Sequence, residues 1–271
     1  MGVLNVTDDS FSDGGLYFAK DAAVARALEI ERGGADILDI GGESTRPGAT
    51  QIPASEELRR VLPVLNALRG RLKIPISVDT SKPEVASVAA DAGAEILNDV
   101  AALRSGPGVA EIARRRKLPL ILMHMRGEPG TMQKMPFARN VMQDVTSGLR
   151  ASVARAVAAG VKKSQIVLDP GIGFGKSDAQ NFELLARLPE LAKLGFPIMV
   201  GTSRKGFIGR ALKGASASDR IWGTAATVAQ SIFGGAHIVR VHDVAEMAQV
   251  ARVADFIADP SAASEKSQAR S

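Results

Sequence analysis

An α/β fold, a single-domain (β/α)8 TIM barrel, is predicted by three observations. Short apolar runs alternate with longer amphipathic ones, the alternation occurs eight times, and the eight units fill a stretch of the size that a closed barrel needs. The expected strands are residues 2–7, 36–41, 74–80, 95–100, 118–125, 166–169, 198–203 and 237–242. Helical patterns cover 19–31, 55–69, 83–92, 109–116, 140–159, 181–194, 218–233 and 245–257. The barrel is expected over 1–258, and the Ser-, Ala- and charge-rich residues 259–271 as a disordered tail.

In chain order, strand one ends on Asn5 and Thr7 and runs into an irregular loop, Asp8 to Gly15, that mixes acids, Phe11 and glycine. Strand two ends on Asp39, and its loop carries Glu43, Thr45, Arg46 and Pro47. Such loops are plain connectors or lids over a substrate; Arg46 and the loop-one acids favour lids. Ser55 ahead of Glu56 and Glu57 marks the start of helix two, and Pro83 in a first turn that of helix three. Strand three ends on Asp79, strand four on Asn98 and Asp99, and strand five on His124; the excursion 127–137 carries no assigned chemistry. Strand six, Ile166-Val167-Leu168-Asp169, stops at Pro170 and opens into Gly171, Gly173 and Gly175, either a plain turn or a place where backbone approaches a ligand. Gly175-Lys176-Ser177 looks like the end of a P-loop, but Pro170 stands where that loop needs glycine. Strand seven leads to Ser203 and Lys205, and strand eight to Arg240 and His242.

Entries into strands read Gly-Ala-acid or Gly-Ala-His at 34–36, 93–95 and 235–237, or an apolar residue before proline, and suit short structural turns after helices. Exits carry hydrogen-bonding or ionisable side chains, and in barrels that face holds the active site. Acids and amides dominate the middle strands, while cations come at strands seven and eight, where barrels often bind phosphate.

Composition narrows the function classes. No cysteine is present, so disulfides, thiolate metal sites and a cysteine nucleophile are excluded. The N-terminus lacks a basic segment before an apolar run, the apolar runs are too short to span a bilayer, and a soluble cytoplasmic protein without a membrane partner is expected. The net charge of +5 is scattered. Its one dense run, Arg114-Arg115-Arg116-Lys117, sits where cations suit a helix C-terminus, so a small anionic substrate is expected in preference to nucleic acid.

Val3-Leu4-Asn5-Val6-Thr7, residues 9–15, Gly41-Gly42-Glu43-Ser44-Thr45-Arg46-Pro47-Gly48, Ile76-Ser77-Val78-Asp79-Thr80, Asn98-Asp99, residues 168–176, Ser203-Arg204-Lys205 and Arg240-Val241-His242-Asp243 together resemble the dihydropteroate synthases, pterin-binding barrels of folate biosynthesis. The resemblance runs from Met1 to about Ala258. It implies a transferase that condenses (7,8-dihydropterin-6-yl)methyl diphosphate with 4-aminobenzoate, with Mg2+ assisting, in a homodimer open to sulfonamide competition. Asp79, Asn98, Asp169 and Lys205 would hold the pterin edge, with Met123 and Phe174 lining the pocket or its mouth. Asn5 would be the Mg2+ ligand and, with Arg240, Val241 and His242, would meet the diphosphate. Asp79, Asp169, Lys205, Arg240 and His242 would carry the catalysis. Thr45, Arg46, Pro47 and Ser203 would contact 4-aminobenzoate, with Asp9, Phe11 and Asp13 closing over it.

Two departures stand out. Asp8 occupies a place where the family usually has proline, which loosens loop one and adds negative charge near the diphosphate. The chain also begins at strand one without the short hairpin that commonly covers the barrel bottom, so either the start is truncated or the barrel is less well plugged. The alternatives are a pterin- or folate-dependent methyltransferase barrel, against which Ser44 to Pro47 and Ser203 to Lys205 speak, a Schiff-base aldolase using Lys205, and a basic nucleic-acid module.

Overall fold

Eight parallel strands form the computed structural model, which describes residues 1–6, 15–44, 51–127, 132 and 137–261. They are β1 (Gly2–Asn5), β2 (Leu38–Gly41), β3 (Ile76–Asp79), β4 (Ile96–Asp99), β5 (Leu120–Met123), β6 (Ile166–Asp169), β7 (Met199–Val200) and β8 (Ile238–Val239). The first six pair in chain order and the last two pair with each other. Bridges from Leu168 to Ile198 and from Gly2 to Val241 join the two sheets into a ring, so the expected barrel is present. Every strand but β6 is shorter than its apolar run, although flanking residues still make single inter-strand bonds, such as Thr80 N to the Asn98 carbonyl at 3.0 Å and His124 N to the Asp169 carbonyl at 2.8 Å.

Ten α-helices are described: α1 (Gly15–Arg32), α2 (Ala54–Leu68), α3 (Pro83–Asp91), α4 (Gly108–Arg116), α5 (Val141–Ala158), α6 (Asp178–Ala186), α7 (Leu188–Ala192), α8 (Gly206–Ala211), α9 (Ile221–Phe233) and α10 (Val244–Ala258). Pro83 opens α3, as its position predicts. Ser55, by contrast, is not the cap of α2; the helix starts one residue earlier after Pro53, without a side-chain cap. The single helix expected over 181–194 is two, α6 and α7, because Pro189 cannot continue the hydrogen-bond ladder and instead starts a new helix. A 3-10 turn at Ser218–Arg220 precedes α9, and α8, short and glycine-rich, has no counterpart in the predicted elements. Residues 262–271 of the expected tail lie outside the described residues.

Alternation along the strands decides which side chains see the barrel interior. Leu4, Leu38, Ile40, Ile76 and Val78 join residues of α1 and α2 in one core outside the ring. Their neighbours in sequence therefore face inward. Met1, Ile96, Ile121 and Met199 pack together inside, with Ile37, Val167 and Ile238 against them. This apolar layer supports the polar one above it.

Candidate active site

Four successive strands deliver one polar row. Asn5, Gly41, Asp79 and Asn98 are register partners in turn, and Met123 partners Asp169 across β5 and β6. One step deeper, Val3, Asp39 and Ser77 form the next row. Parallel register with inward alternation thus gathers residues far apart in sequence at the C-terminal mouth of the barrel.

Arg240 is the electrostatic centre. Its Nε and Nη2 both lie 2.7 Å from Asp39 Oδ2, and Nη2 donates to Asp79 Oδ2 at 3.1 Å. Asn98 Nδ2 donates to the same Asp39 oxygen at 3.3 Å. That bond turns Asn98 Oδ1 away, and Oδ1 is buried without a hydrogen-bond partner, as are Asp39 Oδ1 and Ser77 Oγ. Buried acceptors without donors are rare in folded proteins, and at a barrel mouth they mark a place for a ligand's N–H groups. Burial pushes the Asp79 carboxyl up to about 8; Arg240 opposes the rise and the Asp39 charge adds to it.

Asp169 and Lys205 form the second wall. Asp169 Oδ1 accepts from Gly171 N at 2.7 Å, and burial raises its pKa against the pull of Lys205. Lys205 Nζ donates to the Ile172 carbonyl and stands 4.5 Å from the centroid of the Phe174 ring, a cation–π placement. Burial lowers this ammonium to about 8. The glycine-rich segment makes the arrangement possible: Gly171 takes φ 65°, and a Cβ there would overlap the His124 carbonyl oxygen. Met123 packs with Met125, Met132, Val100 and Phe174 as an apolar wall.

Loops seven and eight are fastened together. Ser203 Oγ lies 3.1 Å from both the backbone N and Nδ1 of His242, and Arg204 Nε donates to Asp243 at 3.0 Å. Val241, expected beside the diphosphate, instead closes the barrel. Its N–H donates to the Met1 carbonyl and its carbonyl accepts from Val3, each at 3.0 Å, and its side chain sits in the outer core. Asp9, Phe11, Asp13, Thr45, Arg46 and Pro47 lie outside the described residues.

Three residues escaped the sequence reading as members of this region. Asp39 was visible only as a strand-end acid, and its bond to Arg240 joins residues 201 apart in the chain. Glu57, which reads as a first-turn helix acid, is instead fully buried and bonds Lys82 Nζ at 2.5 Å. Lys82 also bonds Glu43 at 2.6 Å, and the other Glu43 oxygen accepts from Ile52 N at 2.9 Å. This network fastens both ends of loop two to the starts of α2 and α3. Paired acid–base spacing along helices would not reveal it, since the partners come from three separate segments.

A sequence model of the pterin binding enzymes matches residues 1–242. The chain belongs to the pterin binding enzyme family. Within the family it is 49% identical to the dihydropteroate synthase of Synechocystis sp. over 257 residues, 95% of this chain and 89% of that protein. The fold is similar to the Yersinia pestis dihydropteroate synthase solved with a sulfonamide drug complex, with TM-score 0.89, 44% identity and coverage of 95% and 93% of the two chains. It is equally similar to the Xanthomonas albilineans enzyme solved with 4-aminobenzoic acid, with TM-score 0.89, 44% identity and coverage of 96% and 92%. Family membership accords with a barrel whose mouth presents buried acceptors.

Among the described residues, no group of three His, Cys, Asp or Glu is arranged to hold a metal ion, and no helix is long and apolar enough to cross a membrane.

Proposed function

We propose that this chain joins (7,8-dihydropterin-6-yl)methyl diphosphate to 4-aminobenzoate, giving 7,8-dihydropteroate and diphosphate, as a dihydropteroate synthase. The observation that carries the reading is the pair of partnerless buried oxygens, Asn98 Oδ1 and Asp39 Oδ1, beside Asp79 and Asp169. An aminopyrimidinone ring presents several N–H donors on one edge and a carbonyl acceptor nearby. The acids and Asn98 Oδ1 accept from the donors, and Lys205 donates to the carbonyl or a ring nitrogen. A ring without these groups would leave buried polar atoms unpaired, which is how such a pocket selects.

The arylamine nitrogen attacks the pterin methylene. The C–O bond to diphosphate breaks, its electron pair leaves with the diphosphate, and the new C–N bond releases the amine proton. Positive charge grows on the pterin methylene as the bond breaks, and Asp79 and Asp169, in their ionised forms, would stabilise that charge. Arg240 and His242 lie on the side where the leaving group would depart. The arylamine is already nucleophilic, so no strong base is needed.

Asn5 would hold Mg2+, which would neutralise charge on the diphosphate. The donor set fits a site completed by substrate: Asn5 Oδ1 and Asp79 Oδ2 flank Gly41, each 3.9 Å from where a Cβ on Gly41 would stand. Mg2+ commonly takes few protein oxygens alongside substrate phosphates. Thr45, Arg46, Pro47 and Ser203 are proposed for the 4-aminobenzoate side, with Asp9, Phe11 and Asp13 above it. Sulfonamide sensitivity follows from that assignment.

The deciding assay measures diphosphate release and dihydropteroate formation together. Both should require Mg2+ and 4-aminobenzoate; diphosphate release without dihydropteroate would overturn the reading. Lys205→Ala and Asp79→Ala should each fold and lose pterin affinity by at least about 100-fold, the effect of removing a charged hydrogen bond from a buried site. Wild-type affinity in either would remove that residue from the pocket.

A homodimer belongs to the same proposal. Trp222 is 81% exposed and Phe233 48% exposed on α9, and Val253 and Ile257 are exposed on α10, which packs beside it. Eleven residues make three helical turns, so Trp222 and Phe233 share a face, as do Val253 and Ile257 one turn apart. Trp222→Glu should shift sedimentation from dimer to monomer; an unchanged dimer would place the interface elsewhere.

A further inference from the structure

Lys176 is 4% exposed, and the proposed chemistry does not use it. Its Nζ lies 2.9 Å from the Gly171 carbonyl, 3.0 Å from the Phe174 carbonyl and 3.1 Å from His124 Nδ1, with the His124 carbonyl at 3.4 Å. A buried ammonium needs such acceptors, since an unpaired one costs several kcal/mol. With Nδ1 accepting, the ring proton of His124 sits on Nε2, 3.4 Å from Asp144, which Arg126 also bonds at 3.1 Å.

The acceptors come from two places. Gly171 and Phe174 belong to the glycine-rich segment after β6, and His124 follows β5. The amide side of that segment is bonded otherwise: Gly171 N to Asp169, Gly173 N to Asn181 Oδ1 at 2.6 Å, and Phe174 N to the Gly171 carbonyl at 3.1 Å. Its carbonyl side is held by two ammonium groups, Lys176 on Gly171 and Phe174, and Lys205 on Ile172. Lys176 thus fixes the carbonyls on either side of the one that meets Lys205, and the backbone of the residue whose ring lies against it.

We propose that Lys176 is a positioning residue for Lys205: its ammonium ties the carbonyls of Gly171 and Phe174 to the end of β5, so that the Ile172 carbonyl and the Phe174 ring hold Lys205 where the pterin ring binds. The last clause rests on the pterin reading above; the tether itself does not. A neutral residue at 176 leaves the Phe174 carbonyl without its ammonium donor and the Gly171 carbonyl with Phe174 N alone.

The test uses the whole chain with 15N-labelled lysine. Lys176 and Lys205 should appear as two ammonium signals in slow exchange with water, assigned by their loss in Lys176→Met and Lys205→Ala. Lys176→Met should abolish the Lys205 signal as well, whereas Lys205→Ala should leave that of Lys176. The same Lys176→Met variant should bind 6-hydroxymethylpterin about tenfold more weakly while the KM for 4-aminobenzoate changes less than about twofold, the split expected when one polar contact in one subsite is displaced. A folded Lys176→Met that keeps the protected Lys205 signal overturns the proposal. Should that variant not fold, couplings across hydrogen bonds from Lys176 Nζ to the Gly171 and Phe174 carbonyl carbons decide it in the wild type; their absence, or a Lys176 ammonium exchanging as fast as surface lysines, overturns it. Failure of the wild type to bind the pterin would instead sink the functional reading and leave the tether standing.

Discussion

Asp39 and Asp79 share one guanidinium, and Asp39 has the closer share. Burial raises the Asp79 carboxyl, the Arg240 guanidinium opposes the rise, and the neighbouring Asp39 charge adds to it. The consequence for stability has a definite sign. Asp79 has a folded-state pKa of about 8 against an ordinary 3.8, so the folded chain holds a proton that the unfolded chain releases. The stability it contributes is full below about pH 4 and is lost as pH rises through about 8. Denaturant unfolding of the wild type and of Asp79→Asn across that window should show their difference moving steadily in favour of the variant. A constant difference would mean that Asp79 is ionised throughout. Asp79, Asn98, Asp169 and Lys205 were all legible as strand-end residues, since the period of two and the turn that follows each strand place them at one mouth. The roles of Asp39, Glu57 and Lys82 were not, because each depends on a partner from another strand or loop.

Prolines show how far local rules reach along a helix. Pro189 divides the run over 181–194, as its missing N–H requires, yet Pro63 lies inside the continuous helix α2 on its exposed side. Val61, Val64, Leu65 and Leu68 bury the opposite face of α2 and hold the helix together through the break in its ladder. The local penalty is still present, so Pro63→Ala should stabilise the chain by roughly 1–3 kcal/mol. That corresponds to a rise in Tm of about 2–4 °C per kcal/mol for a chain approaching this length. No rise would mean that the missing ladder bond already has a substitute. Burial by neighbouring elements overrides propensity here, and a single-sequence pattern cannot register it.

Closure of the barrel depends on short contacts at two seams. The β6–β7 seam rests on Leu168 and Ile198, and the β8–β1 seam on Gly2 and Val241. Gly2 lies under Ile30 of α1 and Val244 of α10, where a Cβ would overlap the Ile30 side chain. Gly2→Val should therefore destabilise the chain by about 1–3 kcal/mol through overpacking. Because the same seam places Arg240 against Asp39, pterin affinity should fall along with stability. A variant of unchanged Tm and affinity would show that the seam yields without strain.

Alternating polarity, turn residues and eight repeated units in the chain were enough to specify a parallel (β/α)8 barrel and to put the strand-end acids, amides and cations at one mouth, since periodicity and turn chemistry act over a few residues. Pairing across the barrel was beyond their reach. Which acid meets Arg240, which carbonyls Lys176 holds, and that Val241 serves the ladder follow from register and ring closure, which bring together groups as far apart in sequence as Met1 and Val241, whose contacts leave no periodic mark in the chain.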